Sequence, residues 1–343
     1  MKLMYEEIYK QATIIRSIKP LIEPTLQGIL KAYKVARPTH IIVAARGSSD
    51  NACNYFKYLV EVYLGIPVSF AAPSVVTLYG TVMDYHHSMV IGVSQSGQAQ
   101  DVLAILKMAK KQNAIVISIT NDEASPMAKI ADHHLDMNAG IERSVAATKT
   151  FMAELYSLGL LVATLEGKKL APLFETVPTH LESLYSMESE IFKATEHYQL
   201  VNESYVLARG YLYSVAQESA LKIQETCYIN AKAYSISDFH HGPFAVLDSK
   251  SHVILFMNSG KTYQDTFEMA KKIKSTGAHL TILSDVSTLE LSPDLTITMP
   301  SIDEVLAPFT YIFVMQLFAY KASILRGNNP DVPRGLKKIT ITK

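Results

Sequence analysis

Residues Ser88 to Gly97 read SMVIGVSQSG, and residues Ser251 to Gly260, 163 positions later, read SHVILFMNSG. The same offset aligns Val43-Ala44-Ala45-Arg46-Gly47 with Val206-Leu207-Ala208-Arg209-Gly210. It also sets Ser118-Ile119-Thr120-Asn121-Asp122 against Thr281-Ile282-Leu283-Ser284-Asp285. Three matches at one spacing identify a duplicated domain of about 150 residues. In each match an apolar, β-branched run ends abruptly in Ser, Gly or Asn, the pattern of a buried strand that stops at a polar loop.

Outward from these loops, helical patterns alternate with strands. In the first copy, His40 to Ala45 predicts a strand and Asp50 to Tyr63 a helix. Val68 to Ala71 is extended, Ser88 to Val93 a strand, and a helix follows as far as Lys111. Ala114 to Ile119 is the next strand, Pro126 opens a helix, Ala131 to Met137 is a short edge strand, and Lys149 to Glu166 a long helix. Apolar strands alternating with helices of this length build a parallel sheet covered on both faces, an α/β fold. Residues 1–34 read as helices joined near Lys19-Pro20. Residues 35–166 form the first domain, 167–195 an ordered connector, 196–327 the second domain, and 328–343 a C-terminal tail.

Composition narrows the functional classes. The chain has 343 residues, 32 Lys plus Arg against 32 Asp plus Glu, 48% hydrophobic and 19% charged residues. This excludes a disordered chain and offers no basic field for nucleic acid or an anionic membrane. Cys53 and Cys227 cannot make a disulfide scaffold, so a reduced, cytoplasmic setting is expected. The N-terminal stretch lacks the apolar core of a secretion signal. The apolar stretch Pro308 to Leu325 carries Thr310, Gln316 and Lys321 and is expected to be a buried or interface helix with no membrane span.

Ligands of parallel sheets bind beyond the carboxyl ends of the strands, near helix N-termini. Two loops of the first copy qualify: Arg46-Gly47-Ser48-Ser49, and Ser94-Gln95-Ser96-Gly97-Gln98. Hydroxyls, an amide and a helix dipole suit a phosphate group without a lysine cage. The second copy changes its equivalents to Arg209-Gly210-Tyr211 and Asn258-Ser259-Gly260-Lys261. It offers other chemistry: Glu218, Lys222 and Glu225 share one helix face, and His240-His241 precede the rigid Gly242-Pro243. A histidine held by such a turn suits acid–base work. The sequence carries no metal-ligand spacing, phosphate-binding P-loop or dinucleotide fingerprint, and no metal or organic cofactor is expected.

In combination, ARGSSDNA (45–52), SQSG (94–97), ERSVAATKTF (142–151), ALKIQETCYINAKAYS (220–235), FHHGP (239–243) and PRGLKK (333–338) resemble the sugar isomerase (SIS) family in its double-domain form. The resemblance spans nearly the whole chain. The chain is similar to the isomerase half of glutamine–fructose-6-phosphate aminotransferase and, more closely, to the isomerising glucosamine-6-phosphate deaminases built on that fold. The resemblance implies two tandem SIS domains, each a flavodoxin-like αβα sandwich with a central parallel sheet.

By this resemblance, Ser48, Ser49, Ser94, Gln95 and Ser96 hold the sugar phosphate and nearby hydroxyls, with Gln98 in the next helical turn. Val145, Ala146 and Ala147 line the sugar. Ala99 and Ala147 replace a threonine and a serine of the aminotransferase pattern. The resemblance implies Glu225 as the base moving a proton between C1 and C2, and His241 from the second subunit of a homodimer as the ring-opening group. Glu218 and Lys222 lie near the amine or the base, and Lys338 closes over the site from the tail. The chain begins at the sugar-binding half, so glutamine-dependent synthesis is not expected of it alone.

The expected reaction is isomerising deamination of an amino-sugar phosphate, with glucosamine 6-phosphate first among candidates. Alternatives are a deglycase for fructosamine-type 6-phosphates, another phosphosugar isomerase, or a noncatalytic phosphosugar sensor. The expected partners are a phosphorylated amino or keto sugar and further copies of the chain sharing an active site.

Overall fold

A computed structural model of the chain describes residues 2–338. Residues 339–343, the end of the expected C-terminal tail, lie outside the described residues. The structure divides into two compact units that do not follow chain order. One comprises residues 2–9, 143–146 and 179–336; the other comprises 10–142, 147–178 and 337–338.

The second of these units is built on β1 (His40–Ala44), β2 (Val68–Phe70), β3 (Ser88–Val93), β4 (Ile115–Thr120) and β5 (His133–Asp136). Its sheet has the order β2-β1-β3-β4-β5 and every pair is parallel. The register runs Ala44 opposite Gly92 and Gly92 opposite Ser118. Every residue of β3 and β4 is buried, which is why these strands read as continuous apolar runs and not as alternating ones.

The other unit carries β6 (Glu203–Ala208), β7 (Asn230–Ser235), β8 (His252–Met257), β9 (His279–Ser284) and β10 (Leu295–Thr298). Its order, β10-β9-β8-β6-β7, is the first sheet read from the opposite end, again all parallel. Each sheet therefore has the flavodoxin-like order 2-1-3-4-5. The 163-residue repeat is a repeat of topology.

The N-terminal helices differ from expectation. They are Leu3–Tyr9 and Gln11–Ala36, meeting at Lys10 and not at Lys19-Pro20. Pro20 and Pro24 lie inside the second helix, one turn apart and both exposed. The buried stripe Ile15, Ile18, Ile22, Leu26 and Ile29 runs straight through both prolines. Its burial outweighs their cost of about 3 kcal/mol each. Element ends shift elsewhere too. The first β–α turn starts its helix at Ser48, and the last strand of the first sheet shortens to His133–Asp136. The connector is ordered, with helices Ala171–Glu175, Val177–Ser183 and Glu188–Ala194.

Helix Ala307–Leu325 is long and apolar enough to cross a bilayer by composition, yet 83% of its most apolar 18-residue window is buried within the protein. It is apolar all round because it packs on all sides, as a core helix must. Its main neighbour is helix Leu212–Cys227, the helix bearing Glu218, Lys222 and Glu225. Ser323 Oγ donates to Thr226 O (2.8 Å) and Cys227 Sγ to Ala319 O (3.3 Å), locking the end of the charged helix onto the core.

Candidate active site

In a sheet of this order the strand sequence reverses between β1 and β3, and the loops after those strands border the crevice. They are the two loops singled out above. After β3, Ser94 Oγ accepts the Gly97 N–H (3.2 Å) and Ser96 Oγ accepts the Gln98 N–H (3.3 Å). The Asn121 N–H donates to Gln95 O (3.1 Å), tying the loop to the end of β4. Ser94, Gln95 and Ser96 are half-buried at the lip and Gln98 is exposed.

Gln98 does not occupy a helical turn. The helix runs from Gln100 to Lys111, with Ala99 (φ −61°, ψ 108°) as a cap that has no side-chain oxygen to offer. Gly97 sits at φ +62°, and a Cβ there would lie 2.4 Å from Ser125 Oγ and 2.5 Å from its Cβ. Gly97→Ala is therefore expected to cost about 2–5 kcal/mol through left-handed strain and overpacking. Its affinity for inorganic phosphate should fall with it. Thermal melting and phosphate titration of the variant check both.

After β1, Ser48 is half-buried and opens the helix Ser48–Tyr63. Ser49 is buried, and its hydroxyl donates inward to Glu154 Oε1 (2.7 Å). Ser49 thus anchors the loop onto helix Lys149–Glu166, while Ser48 sits nearer the surface. A residue that motif reading passed over joins the two loops. Arg46 Nε donates to Asp101 Oδ2 (2.8 Å), Asp101 being buried in the first turn of the helix after β3. Half of the Arg46 side chain remains exposed, so these loops present one guanidinium beside their neutral donors.

The second sheet keeps the tie and loses the cradle. Arg209 Nη1 meets Asp265 Oδ2 at 3.1 Å, as Arg46 meets Asp101. But Asp285 takes both the N–H and the hydroxyl of Ser259 (2.7 and 2.6 Å), and Glu304 takes the Lys261 N–H (2.8 Å). Carboxylates of the chain itself occupy the donors that would otherwise face an anion.

The segment 142–151 is held by two buried carboxylates. Glu7 accepts the N–H of Arg143 (2.5 Å) and of Ser144 (3.2 Å) and bonds the Ser144 hydroxyl. Val145 N–H donates to Asp331 O (3.2 Å) and Ala146 is buried, whereas Val145 and Ala147 are half-buried. Glu142 accepts the N–H of Thr148 (2.9 Å) and Thr150 (3.1 Å) and the Thr150 hydroxyl (2.8 Å). It also takes Lys338 Nζ at 2.5 Å. Neither Glu7 nor Glu142 belongs to a charge pattern visible in sequence, because most of their partners are backbone N–H and hydroxyl groups.

The charged face of helix Leu212–Cys227 is an ion triplet. Lys222 Nζ lies 3.2 Å from Glu218 Oε1 and 2.5 Å from Glu225 Oε2. Lys222 and Glu218 are 0% exposed, whereas Glu225 is 21% exposed. Burial pulls the Lys222 ammonium toward its neutral form. Attraction by Glu218 and Glu225 outweighs that and raises its pKa well above the ordinary lysine value. The triplet carries one net negative charge, and only Glu225 presents it at the surface. Glu218 is a buried structural partner of Lys222.

His241 is exposed, in the turn that follows helix Ile236–His240. Its N–H donates to Asp238 O (3.0 Å), and Gly242 (φ 132°) redirects the chain after it. Its imidazole makes no hydrogen bond or ion pair among the described residues. No group of three or more His, Cys, Asp or Glu side chains among them is placed to hold a metal ion.

Comparison with known proteins agrees with this architecture. The chain is 32% identical over 346 residues to glutamine–fructose-6-phosphate aminotransferase (isomerizing) of Pyrococcus horikoshii, matching 98% of this chain and 57% of that protein. The chain thus spans a little over half the length of the curated relatives it matches. A Silicibacter pomeroyi protein, provisionally assigned as a phosphosugar isomerase, superposes with a TM-score of 0.87 at 27% identity, over 96% of this chain and all of that one. Glucosamine-6-phosphate deaminase of Thermotoga maritima shares the fold, with a TM-score of 0.78 at 23% identity over 99% and 100% of the two chains. The SIS domain model matches residues 34–164 and again 201–326, one match for each parallel sheet, and the chain belongs to the SIS domain family.

Proposed function

We propose that this chain catalyses the isomerising deamination of an amino-sugar phosphate, glucosamine 6-phosphate and water giving fructose 6-phosphate and ammonia. The observation that carries this reading is the ion triplet. Lys222 holds one oxygen of Glu225, Oε2, and leaves the half of the carboxylate that reaches the surface free to take a proton. The cradle of Ser48, Ser94, Gln95 and Ser96, with Arg46 clamped beside it, supports a phosphorylated substrate. The aldehyde form of glucosamine 6-phosphate loses its C2 proton to Glu225, and negative charge develops on O1. Return of the proton at C1 leaves a C2 imine, which water hydrolyses to the ketose and ammonia. No step calls for a metal or an organic cofactor.

Ring opening is assigned to His241 of a second copy. Its exposed imidazole, without a hydrogen bond or ion pair among the described residues and followed by the Gly242-Pro243 turn, supports that placement. Mixing Glu225→Gln chains with His241→Ala chains should then restore part of the lost activity. No recovery in verified mixed oligomers places His241 in its own chain's site.

The test of the reaction is incubation with glucosamine 6-phosphate in the absence of glutamine, assaying ammonia and fructose 6-phosphate together. One-to-one formation supports deamination. Neither product from folded protein overturns it and directs the search to fructosamine-type 6-phosphates or another phosphosugar isomerisation. Tight binding without turnover of any of these marks a sensor.

A further inference from the structure

Lys338 ends its described contacts on Glu142, and the way Glu142 is held decides what that contact can do. The carboxylate is 0% exposed and Lys338 is 27% exposed. Oε1 accepts the backbone N–H groups of Thr148 and Thr150, and Oε2 accepts the Thr150 hydroxyl and Lys338 Nζ. Three of these four donors belong to the start of helix Lys149–Glu166, so Glu142 caps that helix whether or not the lysine is present. Removing the lysine leaves each carboxylate oxygen with a donor, and the departing ammonium passes directly into water. A buried ion pair normally resists opening because the abandoned charge is left unsatisfied. Here that penalty is largely absent.

We propose that Glu142 is the seat of the C-terminal tail, a positioning residue that holds Lys338 by its charge in a reversible latch. The latch needs only charge and reach; its meaning for catalysis rests on the reading that Lys338 serves the active site. While seated, the Lys338 nitrogen is an ammonium hydrogen-bonded to a carboxylate, with no lone pair to attack a carbonyl. Any nucleophilic use of that amine requires the latch to open first, with the proton passed to a base or to solvent.

Limited trypsin digestion of the whole protein, with cleavage after residue 338 followed by mass spectrometry, tests the seat without substrate or turnover. Seated, residue 338 cannot enter the protease pocket, so cleavage there follows the fraction unlatched. Glu142→Gln keeps an oxygen for the helix N–H groups and loses the charge. It should speed cleavage after residue 338 about tenfold, as expected for losing a charge-assisted hydrogen bond. Lys338→Arg restores a cation that trypsin still recognises and should cleave as slowly as the wild type, but only while Glu142 is present. If Glu142→Gln does not fold, Lys338→Gln gives the second measurement. Hydrogen exchange should then rise in residues 331–338 and stay slow in residues 142–150, whose carboxylate keeps its other donors. Cleavage of Glu142→Gln at the wild-type rate, or unchanged exchange of 331–338 in Lys338→Gln, overturns the latch. Both readouts are independent of the substrate, so a failed deamination assay leaves them intact.

Discussion

Glu225→Gln is expected to lower turnover of glucosamine 6-phosphate by about 10²–10⁴-fold, the range for losing a positioned general base. Substrate affinity should hold, because the phosphate loops belong to a different part of the chain. The fold should hold as well. The substitution is isosteric, the site is 21% exposed, and Lys222 keeps Glu218 at 3.2 Å as its counter-ion. The amide oxygen can still accept from Lys222, but an amide takes no proton from carbon near neutral pH. The measurement pairs the ammonia and fructose 6-phosphate assay with calorimetric binding of the substrate. Wild-type turnover by a folded Glu225→Gln protein would show that the base lies elsewhere.

Lys222→Met should produce the largest loss of stability. Methionine fills most of the lysine stem, so packing beside helix Ala307–Leu325 changes little, but two carboxylates lose the cation between them. Breaking a buried pair in this way costs about 3–5 kcal/mol, because Glu218 is left charged where water cannot reach it. The corresponding drop in Tm is roughly 6–20 °C for a unit of this size.

The pH dependence of that loss has a definite sign. In the wild type, Lys222 has its pKa raised on folding, so its contribution is complete below the ordinary lysine value and fades only as pH rises through the folded one. Across pH 5–8 it is therefore constant. In the variant the buried Glu218 side chain has lost its cation, burial favours the neutral form of a carboxyl, and the deficit should narrow as pH falls. Tm differences between variant and wild type at pH 8 and pH 5 check this. A deficit that widens toward acid would mean that the triplet is not what Lys222 stabilises. Adding Glu218→Gln to Lys222→Met should recover part of the loss at pH 8.

Much of the architecture is local and was therefore legible. Buried parallel strands declare themselves as apolar runs, and the duplication doubled that signal. The matched loops after β1 and β6, and after β3 and β8, place chemistry at equivalent points of two sheets with the same strand order. The spacing of Glu218, Lys222 and Glu225 alone places them on one helix face. Spacing could not say which of the three reaches the surface. That depends on the burial of Lys222 and Glu218 within the folded unit, which leaves Glu225 partly exposed.

Where the sequence reading went astray, a tertiary term outweighed a local preference. Pro20 marks a break by propensity, yet the buried isoleucine stripe carries the helix through it. Ser49 looks like a second phosphate hydroxyl beside Ser48, yet Glu154, 105 residues on, draws it inward. Glu7 and Asp101 gave no signal, and Glu142 stood only as the first residue of a motif without a role of its own, since a lone carboxylate acquires its role only when folding brings an N–H, a guanidinium or an ammonium to it.

The sequence by itself determined the duplicated α/β architecture, the serine-rich loops proposed to hold phosphate and the charged face of one helix, because period, propensity and repeat spacing act over a few residues. Only the tertiary structure decided which serine faces outward, which carboxylate of the triplet is presented, and where Lys338 rests. Those outcomes are set by burial and by hydrogen bonds between groups more than a hundred residues apart, whose energies exist only once the chain has closed around them.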